Sequence, residues 1–306
     1  QAFNYSRAPF IRLEVSRRTF GSAVERSREH DQILQREGER IRIFKMQGYI
    51  FFGTASKFAE HVINCLAREK DIKWIIIDFK EVTGIDTSAK FSFLRLCQIA
   101  NTSDLKIYFS SLPPAIAQVF EQENILRQGD GESVAFENLD LALESCEEEL
   151  LEVLGAKSHE EMELTDWLSR ELEDRDIAAK LAKAMERKDC QPGEFVCRQN
   201  EQADSFFFVV SGRVSIVMEL ADLEPVRLRT MLGQTVIGEM GFYRRTKRSA
   251  SVHVEKPSTI YELKRDVFED MMVADPLVAN ALNVFIVKAL ADRLSFANKE
   301  VAALQR

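Results

Sequence analysis

The spacing of apolar residues in this 306-residue chain changes once, near residue 175, and that change constrains the architecture more than any other feature. Before it, Trp74-Ile75-Ile76-Ile77-Asp78-Phe79 is a continuous β-branched run, the pattern of a strand covered on both faces. Strand-like text precedes it at Arg40–Phe44, which alternates, and at Gly48–Phe52, which is apolar and aromatic. Thr54 is expected to cap a helix carrying Phe58, Val62, Ile63 and Leu66. A helix over about 88–100, a strand at Leu105–Phe109, a helix opening at Pro113-Pro114, a short strand near Val134–Phe136 and a helix from Leu139 follow. Strands alternating with helices predict an α/β domain with a mixed sheet covered by helices. Beyond the change, Phe206–Val210 and Val214–Met218 are punctuated by Pro192-Gly193, Asn200 and Ser211-Gly212. Short strands at that spacing predict a β-roll or jelly roll, flanked by helical text at 177–187 and from Asp266 onward.

These two blocks occupy 39–152 and 175–306. Residues 1–38 form a basic lead-in with nine arginines within the first 42 positions, and a helix is expected over about 21–36. Residues 153–174 read as an acidic linker inside a run of carboxylates from Glu144 to Asp174. Net charge is −8, which argues against general nucleic-acid binding. The basic lead-in suits either solvated surface or an anionic membrane face. Cys65, Cys97, Cys146, Cys190 and Cys197 form no CxxC, and the four histidines lie far apart, so neither a disulfide framework nor a metal site is expected. No apolar run approaches the roughly 18–20 residues of a membrane span. The chain opens on Gln1 without an initiator, which reads as an excised piece of a longer protein. No nucleophile–base pairing, Walker loop or kinase segment is visible, so no catalytic residue is named and a non-enzyme is expected.

The segment from Ile237 to Val252 carries the chemistry. Gly238 and Gly241 let backbone amides approach an anion, and a short helical turn there aims its N–H groups at a phosphate. Arg248 adds a forked charged contact, and Glu239 accepts from a sugar hydroxyl. The stretch resembles the phosphate-binding cassette of cyclic nucleotide-binding domains without a gap. The turn Gln191–Glu194 and the run Asp204–Gly212 resemble that family's β-roll text. The resemblance implies a cyclic nucleotide, cGMP or cAMP, held by Gly238, Glu239, Met240, Gly241, Arg248, Ser249 and Ala250. Ser249 tilts that expectation towards cGMP. Lys247 stands where the family usually has proline, and Arg244 and Arg245 occupy the bridge. Val287, Leu290, Leu294, Ala297, Val301 and Leu304 recur at helical steps. That helix packs on its own domain, closes as a lid over the purine, or forms a seam between two copies of the chain.

In the first block, Asp78-Phe79-Lys80-Glu81-Val82-Thr83-Gly84-Ile85-Asp86-Thr87-Ser88-Ala89 ends a buried strand and opens a helix capped by Asp86. It resembles the STAS domain, and Ser88 falls on the serine that bacterial members of that family have phosphorylated. Gly48–Ala55 resembles the second-strand text of SulP-type anion transporter tails. The combined resemblance implies the cytoplasmic regulatory region of a SulP-type (sulfate or anion) transporter, on the cytoplasmic side of a membrane, with its own membrane transport domain as partner. Two alternatives stand beside it. One is a soluble STAS adaptor controlled by Ser88 phosphorylation; the other is a β-roll that has lost its ligand and acts as a protein-interaction module.

Overall fold

The structure, a computed structural model, describes residues 10–126, 133–156, 162–221 and 224–304. Parts of the expected lead-in (1–9) and linker (157–161) therefore lie outside the described residues. Two compact units are present. The first comprises the described residues of Gln1–Ser22, Gln32–Gly155 and Ala297–Arg306, and the second those of Ala23–Asp31 and Ala156–Phe296.

In the first unit, five strands form one sheet in the order β1 (Ile11–Ser16), β3 (Ile41–Ile50), β4 (Trp74–Ile85), β5 (Lys106–Ser110), β6 (Ser133–Phe136). The last four are parallel, whereas β1 runs antiparallel to β3, with Val15 opposite Ile43. Helices α1 (Arg28–Glu37), α2 (Phe52–Arg68), α3 (Lys90–Ala100), α4 (Pro114–Gln122) and α5 (Leu139–Val153) connect or follow these strands. The two strand-like runs around position 46 are one strand, because Gly48, at φ +74°, lets the chain shift register without breaking the ladder. Phe79, Phe93, Phe109 and Phe120 are fully buried. Every pair among these four has ring centroids 5.3–6.3 Å apart, close enough for edge-to-face and tilted contacts that add to the burial energy.

The expected lead-in is more ordered than its charge suggested. Residues 11–16 supply the antiparallel edge strand, and the helix begins at Arg28 rather than near 21. Arg17 is buried, with Nε 2.8 Å from Glu147 Oε1, and Glu147 also accepts from Ser22 N and Ser22 Oγ. Part of the basic stretch is thus neutralised internally by the acidic run.

The second unit is a seven-stranded roll. Its path is β2 (Val24–Glu25), β10 (Val226–Leu232), β9 (Ser205–Met218), β12 (Ser251–Lys264), β7 (Glu186–Cys190). Two short strands lie off this path: β11 (Thr235–Ile237) pairs with β9, and β8 (Phe195–Cys197) with β12. The apolar runs on either side of Ser211-Gly212 are a single bent strand. Gly212, at φ +96°, bends it where an added Cβ would lie 2.2 Å from Ser258 Oγ. Helices α6 (Leu164–Leu172), α7 (Arg175–Ala184), α8 (Glu239–Arg244), α9 (Arg265–Ala274) and α10 (Pro276–Leu304) complete the list. Asp174 caps α7 by accepting from Asp176 N and Ile177 N.

Helix α6 lies within the stretch expected to be linker. Leu164, Trp167 and Leu168 sit on one face of it and are buried, with Trp167 5.6 Å from Phe208 between ring centroids. Carboxylates on the other positions had hidden that stripe. Among the described residues, no helix is long and apolar enough to cross a membrane.

Candidate functional site

Strand β11 ends at Ile237, and Gly238 turns the chain into α8 with φ +81°, a left-handed conformation that a side chain would strain. An added Cβ would also meet Arg248 Nη1 at 2.5 Å, so the guanidinium would have to shift. Gly241 has a similar reason, since its Cβ would lie 2.8 Å from Ala203 Cβ. Both glycines, expected from sequence to admit a ligand, are required first by close packing within the protein. Glu239 follows at the first helical position and is 4% exposed, while Met240 is solvent-facing.

Arg248 reaches this turn from the other side. Its backbone is fixed by Arg248 N donating to Glu201 O (2.8 Å) and by Asn200 N donating to Arg248 O (2.9 Å). Asn200 adopts φ +71°, a left-handed turn that asparagine tolerates. Arg248 is 6% exposed, and its guanidinium donates from Nη1 to Gly238 O and from Nη2 to Ser205 Oγ, both at 3.2 Å. It lies 5.2 Å from the centroid of the Phe207 ring. Its Nε is buried without a hydrogen-bond partner. A buried guanidinium donor left unmatched costs about 1–3 kcal/mol, so the site favours an added acceptor. Ala250 is buried beside this strand start, and Ser249 is exposed.

Sequence reasoning missed Arg293. It lies on α10, flanked by Leu290 and Leu294 of the expected periodic stripe. Nη1 is 2.5 Å from Glu239 Oε1, Nη2 donates to Val236 O at 2.6 Å, and Nε donates to Glu25 Oε1 at 2.6 Å. One guanidinium thus gathers acceptors from α8, β11 and β2. Burial pushes the Glu239 carboxyl above its ordinary range, and the neighbouring Arg293 charge only partly offsets this. The carboxylate expected to accept from a ribose is therefore already engaged by the C-terminal helix.

In the first unit, Asp86 accepts from Phe52 N at 2.9 Å, which ties down the start of α2. Its other oxygen accepts from Ser88 N, Ser88 Oγ and Ala89 N at 2.7–2.9 Å. These bonds hold its carboxyl below the usual range although burial opposes them. The amides a phosphate on Ser88 would draw on are thus bonded to Asp86, whose charge would repel that phosphate. The helix itself starts at Lys90, two residues later than the sequence pattern indicates.

Residues 32–142 match the family model of the STAS domain, and residues 187–275 that of the cyclic nucleotide-binding domain. Glutaminase 2 of Bradyrhizobium diazoefficiens is 29% identical over 292 residues, covering 93% of this chain and 45% of that protein. Glutaminase 1 of the same organism is 25% identical over 286 residues, covering 92% and 44%. The vacuolar basic amino acid transporter VSB1 of Saccharomyces cerevisiae is 31% identical over 140 residues, covering 42% of this chain and 13% of that protein. The chain spans less than half the length of these relatives. The expectation of a non-enzyme is corrected by the first two matches, in which nearly the whole chain aligns with proteins named as enzymes. The missing signature had only excluded motifs within these residues. By its fold and its two family matches, the chain is a STAS domain followed by a cyclic nucleotide-binding domain.

Proposed function

We propose that this chain is the regulatory region of a larger protein, and that a cyclic nucleotide held at Gly238, Glu239, Arg248 and Ala250 sets its state. The observation that carries this reading is Arg248. Its guanidinium is buried against the Gly238 turn and keeps an unmatched Nε donor, the arrangement a cyclic phosphate would complete. Glu239 follows Gly238 in the chain, and a ribose hydroxyl donating to it would take over an acceptor that Arg293 now uses. Ligand occupancy then reaches α10 through that exchange, as a shift between two populations. Ser249 favours cGMP in this reading, because it follows Arg248 and is exposed, available to a base edge.

The attached activity follows one of two readings. Gly48–Ala55 favours a SulP-type membrane transporter with this region on the cytoplasmic side, and the match to a basic amino acid transporter from yeast favours a transporter in general. The longer matches to two glutaminases favour an amide-hydrolysing enzyme whose output this region tunes. Ammonia release from L-glutamine by the full-length protein, with and without cyclic nucleotide, separates this second reading from anion uptake into vesicles.

Titration calorimetry with cAMP and cGMP tests the ligand itself. Micromolar binding, about −8 kcal/mol, is expected. Arg248→Ala should weaken it by at least about 30-fold, since truncating one side of a buried charged contact costs about 2–5 kcal/mol. Ser249→Ala should shift the cGMP-to-cAMP ratio. A flat titration at millimolar ligand would refute the sensor reading.

A further inference from the structure

In the first unit, β1 and α2 bring together three donors of different chemistry. His61 and Cys65 lie one turn apart on α2 and so project from the same face of that helix. Glu14, 47 residues before His61, reaches them from β1. Glu14 Oε2 is 2.7 Å from His61 Nε2, Glu14 Oε1 is 3.8 Å from Cys65 Sγ, and Cys65 Sγ is 3.7 Å from His61 Nε2.

Those separations are the relevant ones for a metal. With bonds of about 2.0 Å to nitrogen and oxygen and about 2.3 Å to sulfur, the donors of a tetrahedral zinc ion stand roughly 3.3–3.7 Å apart. The edge between Cys65 Sγ and His61 Nε2 already has nearly that length, while Glu14 meets the two through different oxygens. An ion held by Glu14 Oε2 opens its contact with His61 by roughly 0.7 Å as it replaces that hydrogen bond. Charge also balances, because a thiolate and a carboxylate together neutralise a divalent ion. Arg42 pairs more closely with Glu69 than with Glu14, whose Oε1 lies 4.0 Å from Arg42 Nη1 at the edge of ion-pair range. All three donors are half-buried, so the cluster is shielded by protein on one side and open to a water or substrate ligand on the other.

We propose that Glu14, His61 and Cys65 bind a divalent ion of the zinc class, with the fourth coordination position open. Imidazole and thiolate in the set select against magnesium and calcium, which take oxygen donors. Because Glu14 is on β1 and the other two are on α2, an ion there fastens the edge strand to α2. The sequence reading expected no metal because it looked for histidines and cysteines close together in the chain. Only the pair His61-x3-Cys65 is local, and the third ligand arrives through the antiparallel strand.

The test titrates the chelator-treated 306-residue chain with Co2+ and then Zn2+. One Co2+ per chain is expected, with thiolate-to-cobalt charge-transfer absorbance that Zn2+ abolishes, and Zn2+ should raise the thermal midpoint. Cys65→Ser and His61→Phe should each weaken binding by about 100-fold or more, given that losing even an outer-sphere partner costs about 10–100-fold. Cys190→Ser, at the other half-buried cysteine, should leave the titration unchanged. As a check that needs no variant, Zn2+ should protect Cys65 of the native chain from alkylation. Charge-transfer absorbance that survives Cys65→Ser, or alkylation of Cys65 at an undiminished rate in Zn2+, overturns the proposal.

Discussion

Replacing Arg293 by methionine should make the second unit less stable while making it bind cyclic nucleotide more tightly. Methionine keeps much of the apolar stem and removes the three polar contacts to Glu239, Glu25 and Val236 O. Removing one side of a buried ion pair costs about 3–5 kcal/mol, chiefly through the carboxylate left behind. The Arg293 side chain is 20% exposed and that of Glu25 15%, so the lower end, about 3 kcal/mol, is expected. For a domain of this size each kcal/mol moves the melting temperature by about 2–4 °C, which gives a drop of roughly 6–12 °C. The ligand effect has the opposite sign. A hydrogen bond to a charged group is worth about 1.5–3 kcal/mol net. A ribose hydroxyl that no longer has to displace Arg293 from Glu239 recovers about 1.4 kcal/mol of that, about tenfold in affinity. Scanning fluorimetry reads the first effect and calorimetry with cGMP and cAMP the second. If a folded Arg293→Met chain binds more weakly than the parent, or equally well, Arg293 does not compete with ligand for Glu239.

Two further substitutions test the geometry locally. Gly238→Ala combines a left-handed φ of +81°, costing about 1–2 kcal/mol for an L residue, with a Cβ 2.5 Å from Arg248 Nη1. It should lower the melting temperature and weaken cyclic nucleotide binding together, and undiminished affinity would show that Arg248 does not act from this position. In the first unit, Glu149 is held below the usual carboxylate range: burial opposes this, but hydrogen bonds from Lys106, Tyr108 and Trp74 outweigh it. A carboxyl depressed on folding stabilises above its unfolded value of about 4.3 and loses that contribution as pH falls through the folded value. Glu149→Gln should therefore cost stability at neutral pH and flatten the acid limb of a urea-midpoint profile, and an unchanged limb would place the acid sensitivity elsewhere.

What the sequence disclosed follows the range of the interactions. The cassette is contiguous, so Gly238, Glu239 and Arg248 could be recognised together, and the structure brings them to one turn. The reason for the glycines was not legible, since it depends on Arg248 and Ala203 arriving from other segments. Arg293 and Glu25 were invisible as a pair because 268 residues separate them. Two elements were legible but overshadowed by charge. Ile11, Leu13 and Val15 alternate strictly with polar residues and form β1, and Leu164, Trp167 and Leu168 keep helical spacing inside the acidic stretch. Charge described the surface of these elements and not the face that packs.

The position of Glu25 in the chain gives the Arg293 contact a wider consequence. Ala23–Asp31 belongs to the second unit, yet the residues before Ser22 and after Gln32 belong to the first. The strand carrying Glu25 is therefore covalently continuous, at both ends, with the STAS unit. β2 is two residues long and pairs with β10, and Thr230 N donates to Ala23 O at 3.0 Å. Glu25 adds ion pairs with Arg293 and with Arg229. A ligand that draws Glu239 away from Arg293 alters the charge balance at the guanidinium holding Glu25. If the pair supplies about 2 kcal/mol of local stability, Arg293→Met should accelerate amide hydrogen exchange at Thr230 by roughly 30-fold. Exchange that stays at the parent rate would mean that backbone pairing alone secures β2, and that Glu25 takes no part in passing ligand occupancy along the chain.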